Sequence, residues 1–366
     1  MIRPPLLSSF RPILATAAVG VLSLSIIAHA TAATAQRRAP EVVRFSSSGA
    51  FPSPRPNVDL TEGMGAFKDV EKEFDTKVEA SSMAAGTTAM AALLGGSIDF
   101  LVASGNAFGR AALLGQPVVA LMELSHEPGG AFVAPIKFAS RGIGSAALKE
   151  WNGARWGVTS VGGAGEFDAR RAIEDAGLRW KAQNIVYTGS VPATAAAMVA
   201  GRLDIGSMDV WPAATLISNK QGFLVLNFVT LQGDDAWNHQ LDWVLVARKE
   251  TVERYPDLTR AMVRAEIRGL LKAKALKTKP EQALSIYPRD VSKKVSPKTF
   301  SVYWALCVPG YQDMSGLITP RALDATLAIL KDMHVGGEGR NFPEGAYDNS
   351  FLLAAYKDLN LPLPKE

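Results

Sequence analysis

The sequence predicts an α/β fold with parallel sheets and helices on both of their faces, for two reasons. Short apolar runs alternate with longer segments of helical periodicity, and this alternation is typical of sheets whose strands are joined by helices. The chain also has 366 residues, more than a single domain of this kind usually needs. We therefore expect two α/β domains.

The predicted elements follow one another in a regular order. Segments were assigned as strands where apolar and β-branched residues form a short run, and as helices where apolar residues recur every three or four positions. The predicted strands are 42–45, 77–81, 98–103, 118–124, 156–158, 185–187, 205–208 and 243–247. The predicted helices are 65–74, 87–94, 167–176, 193–200, 248–255, 258–276, 280–286 and 322–333. A helical C-terminal segment therefore follows the last strand and is compatible with a return to the first domain.

An internal repeat supports two similar halves. Residues 91–99 resemble residues 196–204 without any gap. In each copy a helix ends at a glycine, which adopts the left-handed conformation at little cost, and an apolar strand with an aspartate at its start follows. Duplication of one architecture would explain why the two segments are similar. The alternative is a coincidence between two ordinary helix–strand turns.

The N-terminus has the features of a secretory signal peptide at residues 1–35. Arg3 and Arg11 precede or flank an apolar run at 13–28, and an Ala-Thr-Ala motif ends at Ala35. The run is shorter than the roughly 20 apolar residues of a membrane-spanning helix, which disfavours a membrane anchor. We expect cleavage after Ala35, with slightly earlier alanines as alternatives, and a periplasmic protein.

The charge balance excludes a strongly basic protein. There are 39 lysines and arginines against 35 aspartates and glutamates, so no nucleic-acid partner is expected. One basic row lies along one side of a predicted helix and consists of Arg260, Arg264, Arg268 and Lys272. It is either a solvated face or a docking surface for a membrane partner.

The single cysteine, Cys307, excludes an intrachain disulfide and is expected in the core.

Motifs for catalysis or metal binding are scarce. Outside the predicted signal peptide the histidines, His126, His239 and His334, lie far apart and lack metal-ligand spacing. The glycine-rich segment 161–165 lacks the lysine and hydroxyl residue that end a phosphate-binding loop. We therefore expect no metal, no cofactor and no enzymatic activity, although a triad assembled from distant segments is not visible in a sequence.

Small polar loops at strand ends and helix starts form the candidate ligand-binding site. Helix N-termini carry unpaired N–H groups and bind anions, hydroxyl side chains add donors, and ligands of open α/β sheets lie at the carboxyl ends of strands. Each loop alone is also explained as a helix cap or turn, but several together favour a cleft between domains. The residues are Ser46, Ser47, Gly86, Thr87, Thr88, Ser104, Gly105, Ser160, Gly162 and Gly163.

Four segments resemble motifs of the type II periplasmic substrate-binding proteins of ABC importers. They are 96–107, 143–158, 201–204 and 243–260. They occur in the order typical of that family, and the branch that they resemble most is the nitrate/sulfonate/taurine-binding one, which also includes relatives that bind thiamine-pathway pyrimidines. The resemblance implies a two-lobed, Venus-flytrap fold with crossing segments near 125–130 and 231–242. Lobe 1 would then comprise 36–128 and 243–366, and lobe 2 would comprise 129–242.

The resemblance also implies a function. The chain would capture a small anionic or zwitterionic organic solute, similar to a sulfonate, nitrate or taurine, in the cleft between the lobes and deliver it to an inner-membrane ABC permease. It places the polar loops named above at the ligand. A ligand-sensing receptor for a membrane kinase is the main alternative, and an enzyme similar to the pyrimidine synthases is a second one. We expect a monomer without a membrane anchor.

One segment departs from the family pattern. Several relatives carry a Trp-acid-Pro element after the second glycine turn, whereas here the order is Asp209, Val210, Trp211 and Pro212. Asp209 is therefore expected either to contact an amine or hydroxyl of the ligand or only to cap the helix that begins near Pro212. Trp211 is expected to line the pocket.

Overall fold

Ten strands among the described residues form two five-stranded sheets. The computed structural model describes residues 39–48, 56–83, 86–125, 129–230, 237, 239–311, 314–335 and 340–365. The predicted signal peptide lies outside these residues. The strands are β1 (Val42–Ser48), β2 (Lys77–Met83), β3 (Phe100–Ser104), β4 (Val118–Ser125), β5 (Ala131–Pro135), β6 (Arg155–Val158), β7 (Asn184–Tyr187), β8 (Ile205–Met208), β9 (Gly222–Asn227) and β10 (Trp243–Arg248).

The two sheets have the same topology. Their strand orders are β2-β1-β3-β10-β4 and β7-β6-β8-β5-β9. In the first sheet β1 is parallel to β2 and β3, and β10 is antiparallel to β3 and β4. In the second, β6 is parallel to β7 and β8, and β5 is antiparallel to β8 and β9. Each antiparallel strand follows a passage of the chain from one sheet to the other, so the chain crosses twice. The predicted two-lobed α/β fold is confirmed, while the lobe boundaries after residues 128 and 242 remain a prediction.

Helices connect the parallel strands and build the C-terminal segment. They are α1 (Pro56–Gly63), α2 (Ala66–Phe74), α3 (Gly86–Leu94), α4 (Gly105–Leu113), α5 (Ala164–Asp175), α6 (Val191–Val199), α7 (Val210–Ser218), α8 (Lys249–Arg254), α9 (Pro256–Ala275), α10 (Pro280–Ile286), α11 (Arg289–Ser292), α12 (Pro297–Cys307), α13 (Pro320–Asp332) and α14 (Ser350–Asp358). Short 3-10 helices lie at Ile136–Arg141, Ser145–Trp151, Trp180–Ala182, Phe228–Thr230 and Val308–Tyr311. In the part of the chain that the structure describes, no helix is both long enough and apolar enough to cross a membrane.

Two differences from the predicted elements concern helices that begin at the carboxyl ends of strands. Helix α5 begins at Ala164, earlier than the predicted start at 167. Helix α4 begins directly after β3, where the sequence indicated only a polar loop. Two glycines within α4 weaken its helical signal, because glycine is a poor helix former. Burial of Phe108, Ala111 and Ala112 in the core stabilises the helix nevertheless.

The internal repeat is confirmed by equivalent contacts in the two sheets. The carboxylate of Asp99 accepts a hydrogen bond from the backbone N–H of Arg44 at 2.8 Å. Asp204 accepts one from the backbone N–H of Arg155 at 3.0 Å. The preceding helices end at glycines with positive φ, 77° at Gly96 and 70° at residue 201. The same helix–turn–strand unit therefore aligns the start of one parallel strand with its neighbour in both lobes.

Apolar side chains fill both lobes. In the second sheet the ring of Phe132 lies 5.1 Å from that of Trp156 and 4.9 Å from that of Phe228, and all three are buried. In the first lobe α9 packs one face against α1, α2 and α14. Cys307 is 3% exposed, which confirms its predicted place in the core.

The basic row on α9 contacts acidic residues of the same chain. Arg260 and Arg264 approach the carboxylate of Asp358 on α14 at 3.3 and 3.0 Å. Arg264 also pairs with Glu73 on α2, and a further pair joins Arg268 to Asp69. These pairs favour the interpretation of the row as a helix face that holds neighbouring helices, over a docking surface for a membrane partner.

Candidate ligand-binding cleft

A cavity of about 450 Å³ lies between the two sheets. It is bordered by Ser48 at the end of β1, Ser104 at the end of β3, Thr159 after β6 and Met208 at the end of β8. Small-molecule pockets typically have volumes of about 300–1,000 Å³. The carboxyl ends of parallel strands in both sheets therefore open onto one cleft of the size that a small organic molecule needs.

Seven of the predicted site residues line this cleft. They are Gly86, Thr87, Ser104, Ser160, Gly162, Gly163 and Asp209. They come from loops of both lobes, and these loops lie far apart in the sequence. The duplicated topology brings them together, because it places the ends of equivalent strands on opposite sides of the same space.

Three predicted residues lie in the first sheet or on its helix without reaching the cleft. Ser46 is fully buried, and its hydroxyl donates to the backbone oxygen of Ser81 on β2 at 3.4 Å. Ser47 is buried as well, with 4% of its surface exposed. Thr88 is exposed but does not line the cavity. Strand β1 therefore reaches the cleft at its last residue, Ser48, one or two residues beyond the predicted positions.

The other two predicted residues serve packing. The backbone N–H of Gly105 donates to the oxygen of Asp242 at 2.8 Å, and a Cβ atom at Gly105 would lie 1.5 Å from the oxygen of Leu241. This glycine is needed where α4 approaches the second crossing segment. Trp211 points to the core, where its ring meets the ring of Tyr303 edge-on at 5.1 Å.

The helix starts at the cleft differ in how they are capped. Ser104 caps α4, since its hydroxyl oxygen accepts a hydrogen bond from the N–H of Ala107 at 3.2 Å. Ser190 caps α6 in the same way through the N–H of Ala193 at 3.3 Å. These two serines satisfy orphan N–H groups of their own helices. Their helix ends are therefore less available to a ligand.

The start of α5 has no side-chain cap. Its N-cap residue is Gly163, which makes no side-chain hydrogen bond. The preceding turn is held by Glu166, whose carboxylate accepts from the backbone N–H of Gly162 and from the hydroxyl of Tyr187. Partial burial and the hydrogen bond to Glu166 raise the pKa of Tyr187 to about 12, so it stays a donor at neutral pH. The result is a fixed turn whose positive helix end faces the cavity.

Asp209 stands at the start of α7. Asp209 occupies the N-cap position of α7, but its side chain makes no capping hydrogen bond. The residue lines the cleft. It occupies the place in the second sheet that Ser104 occupies in the first, since each is the last residue before the helix that follows β8 or β3. The structure therefore gives Asp209 a place at the cavity and not the capping bond that was its alternative role.

Arg110 is a residue that the sequence analysis missed. It lies on the face of α4 that lines the cleft, together with Ala107, Ala111 and Leu114. A Cβ atom at Gly162 would lie 3.5 Å from Nη1 of Arg110, so the guanidinium reaches the turn before α5 in the opposite lobe. Among the described residues we find no ion pair to Arg110. Recognition of α4 as a helix would have shown that Arg110 shares a face with Ala107, three positions earlier.

Carboxylates occupy the inner part of the cleft. Asp168 and Asp242 line it and are each 6% exposed. The hydroxyl of Ser125 donates to Asp242 at 3.0 Å. Burial and the nearby charge of Asp242 hold the pKa of Glu123 well above its usual range.

Within the described ranges, no three His, Cys, Asp or Glu residues are grouped so that they could hold a metal ion.

Apolar side chains complete the walls. From the first lobe they include Met90, Leu94 and Leu114, and from the second lobe Val191, Met208 and Phe228. A ligand with only charged groups would leave this surface without a partner. The cleft is suited to a molecule that has a hydrocarbon part as well as charge.

Two lobes of one topology around a shared cleft define the fold of the two-lobed periplasmic binding proteins. A model of the NMT1-like family matches residues 60–284, and the chain belongs to this family. The sequence matches no curated protein.

Solved structures agree with this fold. The alkanesulfonate-binding protein SsuA from Xanthomonas axonopodis pv. citri, solved bound to MOPS, has a TM-score of 0.65 and 16% identity, with 85% of this chain and 99% of that one covered. The periplasmic aliphatic sulphonate binding protein SsuA from Escherichia coli has a TM-score of 0.60 and 14% identity, with 81% and 89% covered. The periplasmic nitrate-binding protein NrtA from Synechocystis PCC 6803 has a TM-score of 0.64 and 12% identity, with 89% and 91% covered.

Proposed function

We propose that this chain is the periplasmic solute-binding component of an ABC importer. It captures a small anionic or zwitterionic organic solute in the cleft and delivers it to an inner-membrane permease. The observation that carries the proposal is the uncapped start of α5, which faces Arg110 of the other lobe across the cavity. An anion between them contacts both lobes at once, so its binding favours the closed form.

The similar structures support a solute of this class. Two of them are named as sulfonate-binding proteins and one as a nitrate-binding protein, and all share the fold of this chain. The proposed contacts are Arg110 together with Gly86, Thr87, Ser104, Ser160, Gly162, Gly163 and Asp209. In the proposed division, lobe 1 is 36–128 with 243–366, lobe 2 is 129–242, and the protein acts as a monomer.

A ligand screen tests the capture of a solute. Thermal unfolding of the purified protein would be followed with sulfonates, nitrate, taurine, aromatic carboxylates and pyrimidines, and each hit would be titrated by calorimetry. A solute that binds only the folded state, present at a hundred times its Kd, stabilises the protein by about 2.7 kcal/mol. We expect at least one charged solute to raise the melting temperature and to bind with one molecule per chain. A uniform absence of any shift would contradict the proposal.

The proposal also states that the protein binds and does not transform its solute. The hit from the screen would be incubated with the protein for many hours and then examined by NMR. Recovery of the unchanged compound is expected, because a carrier must release what it captured. A product that forms in proportion to the protein concentration would instead favour the enzyme alternative.

Export is a separate part of the proposal. The motif that ends at Ala35 predicts that the exported protein begins at or near Gln36. Expression of the full chain in a bacterium, osmotic release of the periplasm and N-terminal sequencing would test it. Recovery of the protein only from the cytoplasm, with Met1 retained, would contradict a cleaved signal peptide.

A further inference from the structure

We infer that the end of the second sheet that lies away from the cleft binds the anionic phospholipid surface of a membrane. The cleft lies at the carboxyl ends of the parallel strands β6 and β8, so this surface lies at their amino ends. Solute and membrane therefore bind at opposite ends of the same sheet. The inference adds a partner to the protein and does not depend on which solute the cleft takes.

Five short segments of the chain form this surface, which we call the basic end. Four of them lead into β6, β7, β8 and β9, and one follows β5, which runs in the opposite direction. Hydrogen bonds join neighbouring segments: the N–H of Gly153 donates to Oε1 of Gln183 at 3.0 Å, and the N–H of Ile136 donates to the oxygen of Gln221 at 3.3 Å. The basic end is therefore one continuous surface, made of residues 136–141, 152–155, 176–183, 200–204 and 219–221.

The basic end carries a strong excess of positive charge. Its one carboxylate, that of Asp204, pairs with Arg155 at 2.7 Å. The remaining six charged side chains are all cationic, and none of them forms an ion pair with a described residue. The formal net charge of the whole chain is only +4, so the rest of the chain is slightly acidic on balance. The six cations are Lys137, Arg141, Arg179, Lys181, Arg202 and Lys220.

The equivalent end of the first sheet has the opposite charge. The loops that lead into β1, β2 and β3, at 39–41, 75–76 and 95–99, contain no lysine or arginine. Each of them has one acidic residue instead, which is Glu41, Asp75 or Asp99. Because the two sheets share one topology, the fold alone does not require cations at these positions. A partner explains the charge of the basic end better than the fold does.

The cations are spread over a wide face. Five of the six are exposed, and the half-buried Arg141 places its guanidinium 4.9 Å from the ring centroid of Phe138 and 4.8 Å from that of Trp151. Five strands about 4.8 Å apart give the sheet a width of roughly 20 Å. Charges at such separations do not converge on one small anion, whereas a layer of anionic headgroups contacts them together.

Exposed apolar side chains lie among the cations. Ile136, which precedes Lys137, is 52% exposed, and Val199 at the end of α6 is 57% exposed. A Cβ atom at Gly201, two residues after Val199, would lie 4.0 Å from Nζ of Lys137, so Val199 belongs to the same surface. Apolar side chains among cations fit the interface of a bilayer, where charged headgroups cover hydrocarbon, better than they fit a soluble acidic polypeptide.

Co-sedimentation with lipid vesicles tests the inference. Purified protein would be mixed with vesicles of phosphatidylglycerol and phosphatidylcholine, or of phosphatidylcholine alone, over a range of salt concentrations. We expect binding to the anionic vesicles that weakens as salt rises, because salt screens exposed charges, and at least about tenfold weaker binding to the neutral vesicles. All proteins compared share one N-terminus, so its apolar segment does not contribute to differences between variants.

Substitution of three lysines assigns the binding to the basic end. Each lysine near an anionic surface strengthens binding about fivefold. The combined variant Lys137→Gln, Lys181→Gln and Lys220→Gln should therefore weaken it by between about fivefold, if one lysine reaches the headgroups, and about a hundredfold, if all three do. A control with the same change at three exposed lysines of α2 and α14 should bind vesicles nearly as the wild type does. The control positions are Lys68, Lys72 and Lys357.

Ile136→Ser separates a bilayer from a soluble polyanion. Loss of an isoleucine that inserts between headgroups should weaken vesicle binding severalfold. Leu363→Ser, at a residue near the C-terminus that is 46% exposed, should have no effect. The melting temperature of each variant and its affinity for a solute of the ligand screen should stay at the wild-type values, because the basic end lies outside the cleft.

The inference is overturned if the anionic vesicles do not bind the protein, or if the two triple variants weaken binding by the same factor. It is also overturned if polyglutamate binds the basic end and vesicles do not, since the partner would then be an acidic polypeptide. Unchanged vesicle binding by Ile136→Ser would overturn the choice of a bilayer over a soluble polyanion. Solute capture is measured separately by calorimetry, so these outcomes leave the proposed function as it stands.

Discussion

Thr87→Val is the substitution that tests the first turn of α3 as part of the binding site. Thr87 is exposed, lines the cleft and makes no hydrogen bond to another described residue. Valine has nearly the same volume, so the change removes one hydroxyl and little else. Because that hydroxyl bonds to no other described residue, its removal should leave the free energy of unfolding within about 0.5 kcal/mol of the wild-type value.

The expected loss appears on binding. A hydrogen bond from the Thr87 hydroxyl to a charged group of the solute contributes about 1.5–3 kcal/mol, which corresponds to a ten- to hundredfold increase in Kd when the donor is removed. Calorimetric titration with the best solute of the screen measures this difference directly. The melting temperature of each unliganded variant shows whether the fold has changed.

The neighbouring residue provides a matched control. Thr88 is exposed on the same helix but does not line the cavity, so Thr88→Val should bind the solute as the wild-type protein does. The reasoning is refuted if Thr87→Val also binds as the wild type. It is equally refuted if the two variants weaken binding by the same factor, because the loss would then come from valine in the helix and not from the cleft.

Three further predictions concern the stability of the fold. Gly105→Ala should lower the free energy of unfolding, measured with urea, by about 3 kcal/mol, because the new Cβ would lie 1.5 Å from the oxygen of Leu241. Wild-type stability would contradict this, since it would show that the crossing segment moves away at little energetic cost. Burial raises the pKa of Glu266 well above its usual range, so its contribution to stability falls as pH rises above about 4.3. The free energy of unfolding of Glu266→Gln, relative to that of the wild type, should therefore be higher at pH 8 than at pH 5. An equal difference at the two pH values would contradict this. Hydrogen bonds to Arg155 lower the pKa of Asp204. Asp204→Ala should therefore lower the free energy of unfolding at pH 7 by about 1–2 kcal/mol, a range that already allows for the partial exposure of the pair. That difference from wild type should shrink as pH falls below about 4, the ordinary range of aspartate, and a constant difference would refute it.

Much of the fold was predictable because its signals are local. The alternation of apolar strands and periodic helices, and the copy of residues 91–99 at 196–204, reflect two units that each fold by short-range rules. Strands β5 and β9 were missed because they are short and largely buried, so they show no alternation of apolar and polar residues. Their pairing depends on segments far away in the chain.

The loops that line the candidate cleft were predictable, but most of its charged side chains were not. Small residues at predicted helix starts led to Gly86, Thr87, Ser160, Gly162 and Gly163, all of which line the cleft. The first strand extends further than predicted, to Ser48, so the serines chosen from its end lie in the sheet. Arg110 was missed together with the helix that carries it, since only helical spacing brings it onto the same face as Ala107 of the cleft. Its neighbour Gly162 comes from the other lobe, and no local pattern reports that contact.

Small-angle X-ray scattering with and without a bound solute tests the central claim most directly. Capture between two lobes predicts that the solute joins Arg110 of one lobe to the start of α5 in the other and so shifts the population toward the closed form. At a saturating concentration of a solute whose binding has been established by calorimetry, the radius of gyration should decrease. Arg110→Gln at its own saturating concentration should show a smaller decrease. A scattering curve that is unchanged while the solute is fully bound would contradict capture by closure of the two lobes.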